Sequence, residues 1–209
     1  MFRVLAGRAG ALALAFAALA GISTALAAEA PVLKASYAAV GQATSVPYGW
    51  VDFCRRYAGE CDHGQLPPRE IALSAAAFKA IDRINKWVNK TVVPITDWDH
   101  WHVVDQWDYP LDGKGDCEDF ALFKRRLLIA LGFPRQALLM TVVKDAHDDG
   151  HAILTVKTDH GEFVLDNLSD QIKPWSATPY HFVKRQSQTD ENVWLQIGPP
   201  TAEPAIVSR

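Results

Sequence analysis

The order of hydrophobic periods along this chain predicts an α+β fold. Two stretches of helical period come first. Three runs of strand character follow, the last two joined as a β-hairpin. The second helical stretch opens on a cysteine, and the remaining elements are read around that junction.

The chain begins with a leader. Arg3 and Arg8 form a short basic region, Gly10 to Ile22 an apolar one, and Ala25-Leu26-Ala27 supplies small residues for cleavage. The apolar run is short for a spanning helix and lacks a basic flank at its exit. Residues 1–27 are therefore expected to be a cleaved signal peptide rather than an anchor, with a periplasmic product. Residues 28–209 are expected to form a single domain with its core at about 48–195. From Glu29 to Gly49 an Ala/Ser/Val/Pro/Gly composition reads as an extended arm with a possible edge strand. Ser74 to Asn89 reads as a helix with Leu73, Ala77, Ala80, Ile81, Ile84 and Val88 on its apolar side and Lys79, Asp82, Arg83 and Lys86 facing water. Thr91 to Asp112 has no period and is rich in tryptophan and acids. It reads either as a functional loop or as an aromatic plug of the core. His100 and His102 within it are expected to be surface or hydrogen-bonded groups.

Gly113 to Gly115 makes a turn, and Asp116-Cys117-Glu118-Asp119 starts the second helix. Phe120, Phe123, Leu127, Leu128 and Leu131 carry its period, and Gly132 with Pro134 ends it. Strand runs follow at Ala137–Val143, His151–Lys157 and Glu162–Leu165. With Asp159-His160 as a two-residue hairpin tip, His151 falls opposite Leu168, and Asp166 lies within diagonal reach on the same face. A slip of one residue would destroy that match. Beyond Asp170, Trp175, Tyr180, Phe182 and Trp194 are widely spaced, and the chain ends in a Pro-rich polar tail.

Removing the leader takes the formal charge from −3 to −5, which argues against nucleic acid as a partner. The three cysteines are informative in an exported chain. Cys54 and Cys61 can close a small loop, which leaves Cys117 over. An odd thiol in an oxidising compartment is an inert buried group, an intermolecular bridge or a nucleophile. At a helix N-terminus the macrodipole and unpaired N–H groups favour thiolate. Cys117 as nucleophile, His151 as base and Asp166 as orienting group form an ordered set for covalent catalysis. The same residue types bind zinc, so a metal-binding or scaffold module is the rival reading.

Gly115-Asp116-Cys117-Glu118-Asp119-Phe120-Ala121, Gly150-His151-Ala152-Ile153-Leu154 and Val164-Leu165-Asp166-Asn167 closely resemble the motifs of the bacterial transglutaminase-like cysteine peptidases. Trp107-Asp108-Tyr109-Pro110 and the Cys54–Cys61 loop share the likeness, which runs from about Tyr48 to Trp194. The resemblance implies a papain-like α+β fold with the cysteine helix packed on an antiparallel sheet. It implies a calcium-dependent endopeptidase that trims a large surface adhesin beside paired alanines, in the setting of biofilm. It also implies a membrane cyclic-di-GMP receptor that sequesters the enzyme. A monomer is the expected state.

Asp116, Glu118 and Asp119 crowd a residue that must become an anion, and like charges oppose thiolate. A bound calcium ion removes that conflict, and clustered carboxylates suit it. The alternative is that Glu118 and Asp119 only complement the helix dipole. Asp145, Asp148 and Asp149 stay unassigned. The Cys117 N–H is one expected oxyanion donor, with Gln106 or Trp107 as candidates for the other. Transfer of the acyl group to an amine, as in a transglutaminase, is open beside hydrolysis.

Overall fold

A computed structural model describes residues 34–198 of the chain. The expected signal peptide and the polar tail beyond residue 198 lie outside the described residues. Among those described, no helix is long and apolar enough to cross a membrane.

The elements, in chain order, are β1 (Val40–Thr44), α1 (Tyr48–Arg56), α2 (Ala75–Thr91), β2 (Val93–Pro94), α3 (Asp97–Trp101), β3 (Lys114–Gly115) and α4 (Cys117–Ala130). Then come β4 (Leu138–Lys144), β5 (Gly150–Thr158), β6 (Gly161–Leu165), β7 (Lys173–Pro174), β8 (His181–Gln186) and β9 (Trp194–Ile197). The main sheet is antiparallel in the order β1-β9-β8-β4-β5-β6-β7. Helices on an antiparallel sheet give the α+β class expected from the sequence. The arm before residue 49 contributes the edge strand β1, where an unpaired ladder is least costly.

Local chemistry explains the elements read correctly. The Ser74 hydroxyl caps α2 by accepting from Ala77 N at 3.1 Å, and Ile81 and Val88 are buried on its apolar side. Gly132, at φ 91°, takes the left-handed position just past α4, and Phe133 N donates to Leu128 O at 3.1 Å. The β5–β6 hairpin has Thr158 opposite Gly161 and Leu154 opposite Leu165, the register the two-residue tip predicts. One face of the sheet carries Met140, Val142, Ala152, Leu154, Val156, Phe163 and Leu165 into the main core, which includes Cys117 and Ala121 of α4. The other face presents Val143, Ile153 and Val164 to Trp175, Tyr180 and Phe182.

Three features differ from the sequence reading. Residues 48–56, spanning the end of the expected arm and the start of the Cys54–Cys61 loop, form a helix with Trp50 and Phe53 buried. Trp50, Trp107 and Trp194 meet edge to face with ring centroids 6.1–6.4 Å apart. The tryptophan-rich segment is thus divided: Trp107 is core, whereas Trp98 and Trp101 of α3 are exposed. Finally, α4 buries Lys124 and Arg125, which lie outside its apolar period, while Leu131, a member of that period, is half exposed. Arg125 is held by Glu191 at 2.6 Å and by Leu138 O at 3.0 Å. Cys54 and Cys61 form a disulfide with Cα atoms 5.6 Å apart, and Cys117 is a buried thiol outside it.

Candidate active site

The short β2–β3 pair delivers the chain to α4, and Asp116 takes its N-cap position in extended conformation. Gly115 is required there by close approach: a Cβ would stand 2.5 Å from Asp119 Oδ2. Cys117 is the first residue of α4, 1% exposed. Its thiol donates to Glu118 Oε2 at 3.0 Å and its sulfur accepts from Ala152 N at 3.4 Å, which ties the helix start to β5.

His151 is the neighbour of Ala152 on β5 and is fully buried. Its Nε2 is 3.0 Å from Asp166 Oδ1, just past the end of β6, so the diagonal contact expected from the hairpin register is present. Nδ1 is left as the nitrogen available to the sulfur. Burial opposes charge on the imidazole, but the Asp166 and Cys117 side chains outweigh it and push its pKa up to about 9. Burial likewise raises the Asp166 carboxyl. His151, the Tyr180 hydroxyl and Leu168 N–H more than offset it, so Asp166 is held below the usual carboxylate range. Tyr180 donates to Asp166 Oδ2 at 2.5 Å, and its ring centroid is 5.4 Å from that of His151. No local pattern in the sequence marks Tyr180. It reaches the site only because the chain before β8 crosses over β5.

Beside the thiol lies a buried set of carboxylates. Ligand oxygens of Asp97, Asp116 and Asp119 lie within 4.8 Å of one another, and so do those of Asp97, Asp105 and Glu118. Of the three acids flanking Cys117, Asp116 and Asp119 fall in one set and Glu118 in the other, with Asp97 common to both. Asp97 and Asp105 join them from the tryptophan-rich segment, whose density of acids was the available signal. Burial, then the charges of Cys117, Asp116, Asp119 and Asp105, raises the Glu118 pKa well above the usual range. Burial and the Asp116, Asp97 and Asp108 charges do the same to Asp119, against a hydrogen bond from Asp108 N. Burial pushes Asp97 up to about 6, with Asp105 and Asp108 adding to it and Gln106 N–H opposing. Asp145 and Asp149 close the β4–β5 turn, Asp148 pairs with Lys144 at 2.9 Å, and none of the three joins the convergent sets. His100 pairs with Asp112 at 2.8 Å, and His102 sits 3.0 Å from Trp98 O.

Of the oxyanion candidates, Trp107 is fully buried and its indole N–H donates to Asp105 at 3.1 Å. Gln106 is half-buried, with its amide nitrogen donating to Asp108 Oδ2 at 2.6 Å.

The calcium-bound form of Legionella pneumophila LapG shares 21% identity with a TM-score of 0.50, over 74% of this chain and 91% of that one, a likeness of fold. Another structure of Legionella pneumophila LapG shares 26% identity with a TM-score of 0.48, over 57% and 68% of the two chains. No curated protein matches the chain. The profile of the bacterial transglutaminase-like cysteine proteinases matches residues 40–202, which spans every element of the fold. The chain belongs to that family: it is a cysteine peptidase with a transglutaminase-like fold, and its substrate is protein.

Proposed function

We propose that Cys117, His151 and Asp166 are the nucleophile, the acid–base and the orienting group of a calcium-dependent endopeptidase acting in the periplasm. The observation that carries this reading is the His151–Asp166 hydrogen bond beside a cysteine at a helix N-terminus, whose sulfur accepts from the N–H of Ala152, the residue next to His151. The Cys117 sulfur attacks the scissile carbonyl carbon as thiolate, and the imidazolium of His151 gives its proton to the departing amine. Water, deprotonated by the now neutral His151, then attacks the thioester and releases the acid and the thiol. Asp166 fixes the tautomer and stabilises the imidazolium. Cys117 N–H supplies one oxyanion donor. Gln106 is better placed than Trp107 for the second, because its amide has a further N–H to give.

The carboxylates fit a calcium ion. The convergent donors are all oxygen, and Glu118 Oε1 is buried with no hydrogen-bond partner. That donor set suits calcium rather than zinc. Asp97, Asp105, Asp116, Glu118 and Asp119 would hold it. When bound, the ion supplies the counter-charge that lets these groups stay ionised beside a thiolate. The calcium-bound LapG structure of similar fold supports this assignment. The leader supports export. Likeness to the family supports a surface adhesin as substrate and a membrane cyclic-di-GMP receptor as a sequestering partner.

The test incubates residues 28–209, and the Cys117→Ala variant, with a peptide library containing dialanine sites, with calcium and with chelator, read by mass spectrometry. Cleavage by the wild type alone, lost on chelation, is the expected result. Cleavage that survives chelation refutes the calcium requirement. Cleavage by Cys117→Ala refutes the nucleophile, and amine adducts in place of cut peptides would assign acyl transfer.

A further inference from the structure

Helix α1 and the segment before the cysteine helix meet at several points that the proposed mechanism leaves unused. A Cβ on Gly49, in the first turn of α1, would collide with the Trp107 indole. Trp50 packs edge to face on the same ring, with centroids 6.3 Å apart. At the far end of the helix Arg56 spreads its guanidinium over three acceptors. Nε donates to Asp52 Oδ2 at 2.6 Å, Nη1 to Asp108 Oδ1 at 2.5 Å and Nη2 to Trp107 O at 2.7 Å. The Tyr57 hydroxyl also donates to Asp108 Oδ1, at 2.8 Å, and Gln106 Nε2 donates to Asp108 Oδ2 at 2.6 Å. A lone ion pair with 31% of its arginine side chain exposed would contribute little. A planar fork with every arm engaged fixes geometry as well, and lysine cannot reproduce it.

What α1 holds in this way is a row of donors. Gln106 N–H donates to Asp97 Oδ2, the Trp107 indole N–H to Asp105 Oδ1 at 3.1 Å, and Asp108 N–H to Asp119 Oδ1 at 2.6 Å. Asp97, Asp105 and Asp119 all belong to the convergent carboxylate sets. Each therefore has one oxygen fixed by residues 106–108 and keeps further lone pairs for a cation. Asp97 comes from α3, Asp105 from the loop after it and Asp119 from α4, so three consecutive residues align ligands from three parts of the chain. Carboxylates that bind a metal need such outer partners, and loss of one typically costs about 10–100-fold in affinity.

We propose that Arg56 is a positioning residue for the ion: with Tyr57 it clamps segment 106–108 to α1, so that the N–H groups of that segment hold Asp97, Asp105 and Asp119 in the arrangement that binds calcium. This inference rests on the calcium site proposed above. The field of the guanidinium acts in the opposite direction, since a nearby cation repels a divalent ion. Removing Arg56 thus tightens binding if charge alone matters and weakens it if the clamp matters. Exchange for lysine keeps the charge and breaks the fork.

The test is calorimetric titration of calcium chloride into the purified chain, stripped of metal by chelator and then dialysed free of it. Arg56→Met and Arg56→Lys are each expected to raise the calcium Kd about tenfold, and Tyr57→Phe about threefold. The melting temperature of the calcium-free chain should shift by no more than about 3 °C in any of them, the weight of a partly exposed ion pair. Tighter binding by Arg56→Met, or wild-type affinity in Arg56→Lys, would reduce the residue to a point charge and overturn the proposal. Unchanged affinity in all three variants overturns it too. So does a larger fall in melting temperature in all three, which would make α1 an element of the fold alone. A wild-type chain that takes up no calcium would instead refute the ion site itself.

Discussion

Replacing Tyr180 by phenylalanine removes a single hydroxyl, which sits 2.5 Å from Asp166 Oδ2. The contacts of His151 Nε2 and Leu168 N to Oδ1, both at 3.0 Å, are untouched. Asp166 is 6% exposed, so water replaces little of what is lost. A hydrogen bond to a charged group contributes about 1.5–3 kcal/mol, and the variant should lose about 2 kcal/mol of stability at pH 7. The pH dependence follows from the carboxyl's depressed pKa. Stability from such a group is fully present above its unfolded value of about 3.9 and is lost as pH falls through the lower folded value. Urea unfolding of both proteins should show a gap that is constant from about pH 5 to pH 7 and narrows below about pH 3.5. Because Tyr180 acts through Asp166, kcat should fall while KM holds. A gap under about 0.5 kcal/mol at pH 7, or one that persists in acid, would refute the reasoning.

The raised pKa of His151 sets a second expectation. Its folded value of about 9 lies above the unfolded one of about 6.5. Stability from the imidazolium is present in full below the unfolded value and drains away as pH rises through about 9. The basic limb of kcat/KM should fall in the same range, and a limb between pH 6 and 7 would contradict the ion-pair account. Replacing Cys54 and Cys61 by serine together opens a loop with a sequence separation of 7. The loss should be about 2.5 kcal/mol in thermal or urea unfolding, with Cys117 alkylation unchanged.

The hairpin carrying His151 and Asp166 was legible because a two-residue polar tip and alternating apolar residues both fix the register. The cysteine helix was legible from its period and its Gly132 stop. Helix α1 was not, since Pro47 stands at its N-cap without a side-chain bond and a glycine lies in its first turn. Strand β8 hid for a different reason. Its Lys184, Arg185 and Gln186 are buried, and polar residues in sequence read as exposed. Each has a remote partner: Lys184 on Ser45 O at 3.1 Å, Arg185 on Glu162 at 2.7 Å and Gln186 on Met140 N at 2.9 Å. The same holds for the site. Asp116, Glu118 and Asp119 are neighbours in sequence, whereas Asp97, Asp105 and Tyr180 arrive by tertiary closure.

The strand order has a bearing on assembly. Strands β4 to β7 are neighbours both in sequence and in space, so the part of the sheet that bears His151 and Asp166 closes by short loops and needs little chain entropy. The opposite flank is built from the two ends of the fold: β1 can pair only once β9 is in place, with Thr44 opposite Trp194. Until β8 docks, β4 presents a bare apolar margin that any other extended chain can join. A chain cut short before residue 181 would therefore hold His151 and Asp166 in its central hairpin and yet carry an adhesive edge. Completion of the carboxyl-terminal strands, rather than closure of the hairpin bearing His151 and Asp166, is the step that protects this protein from association with its own copies.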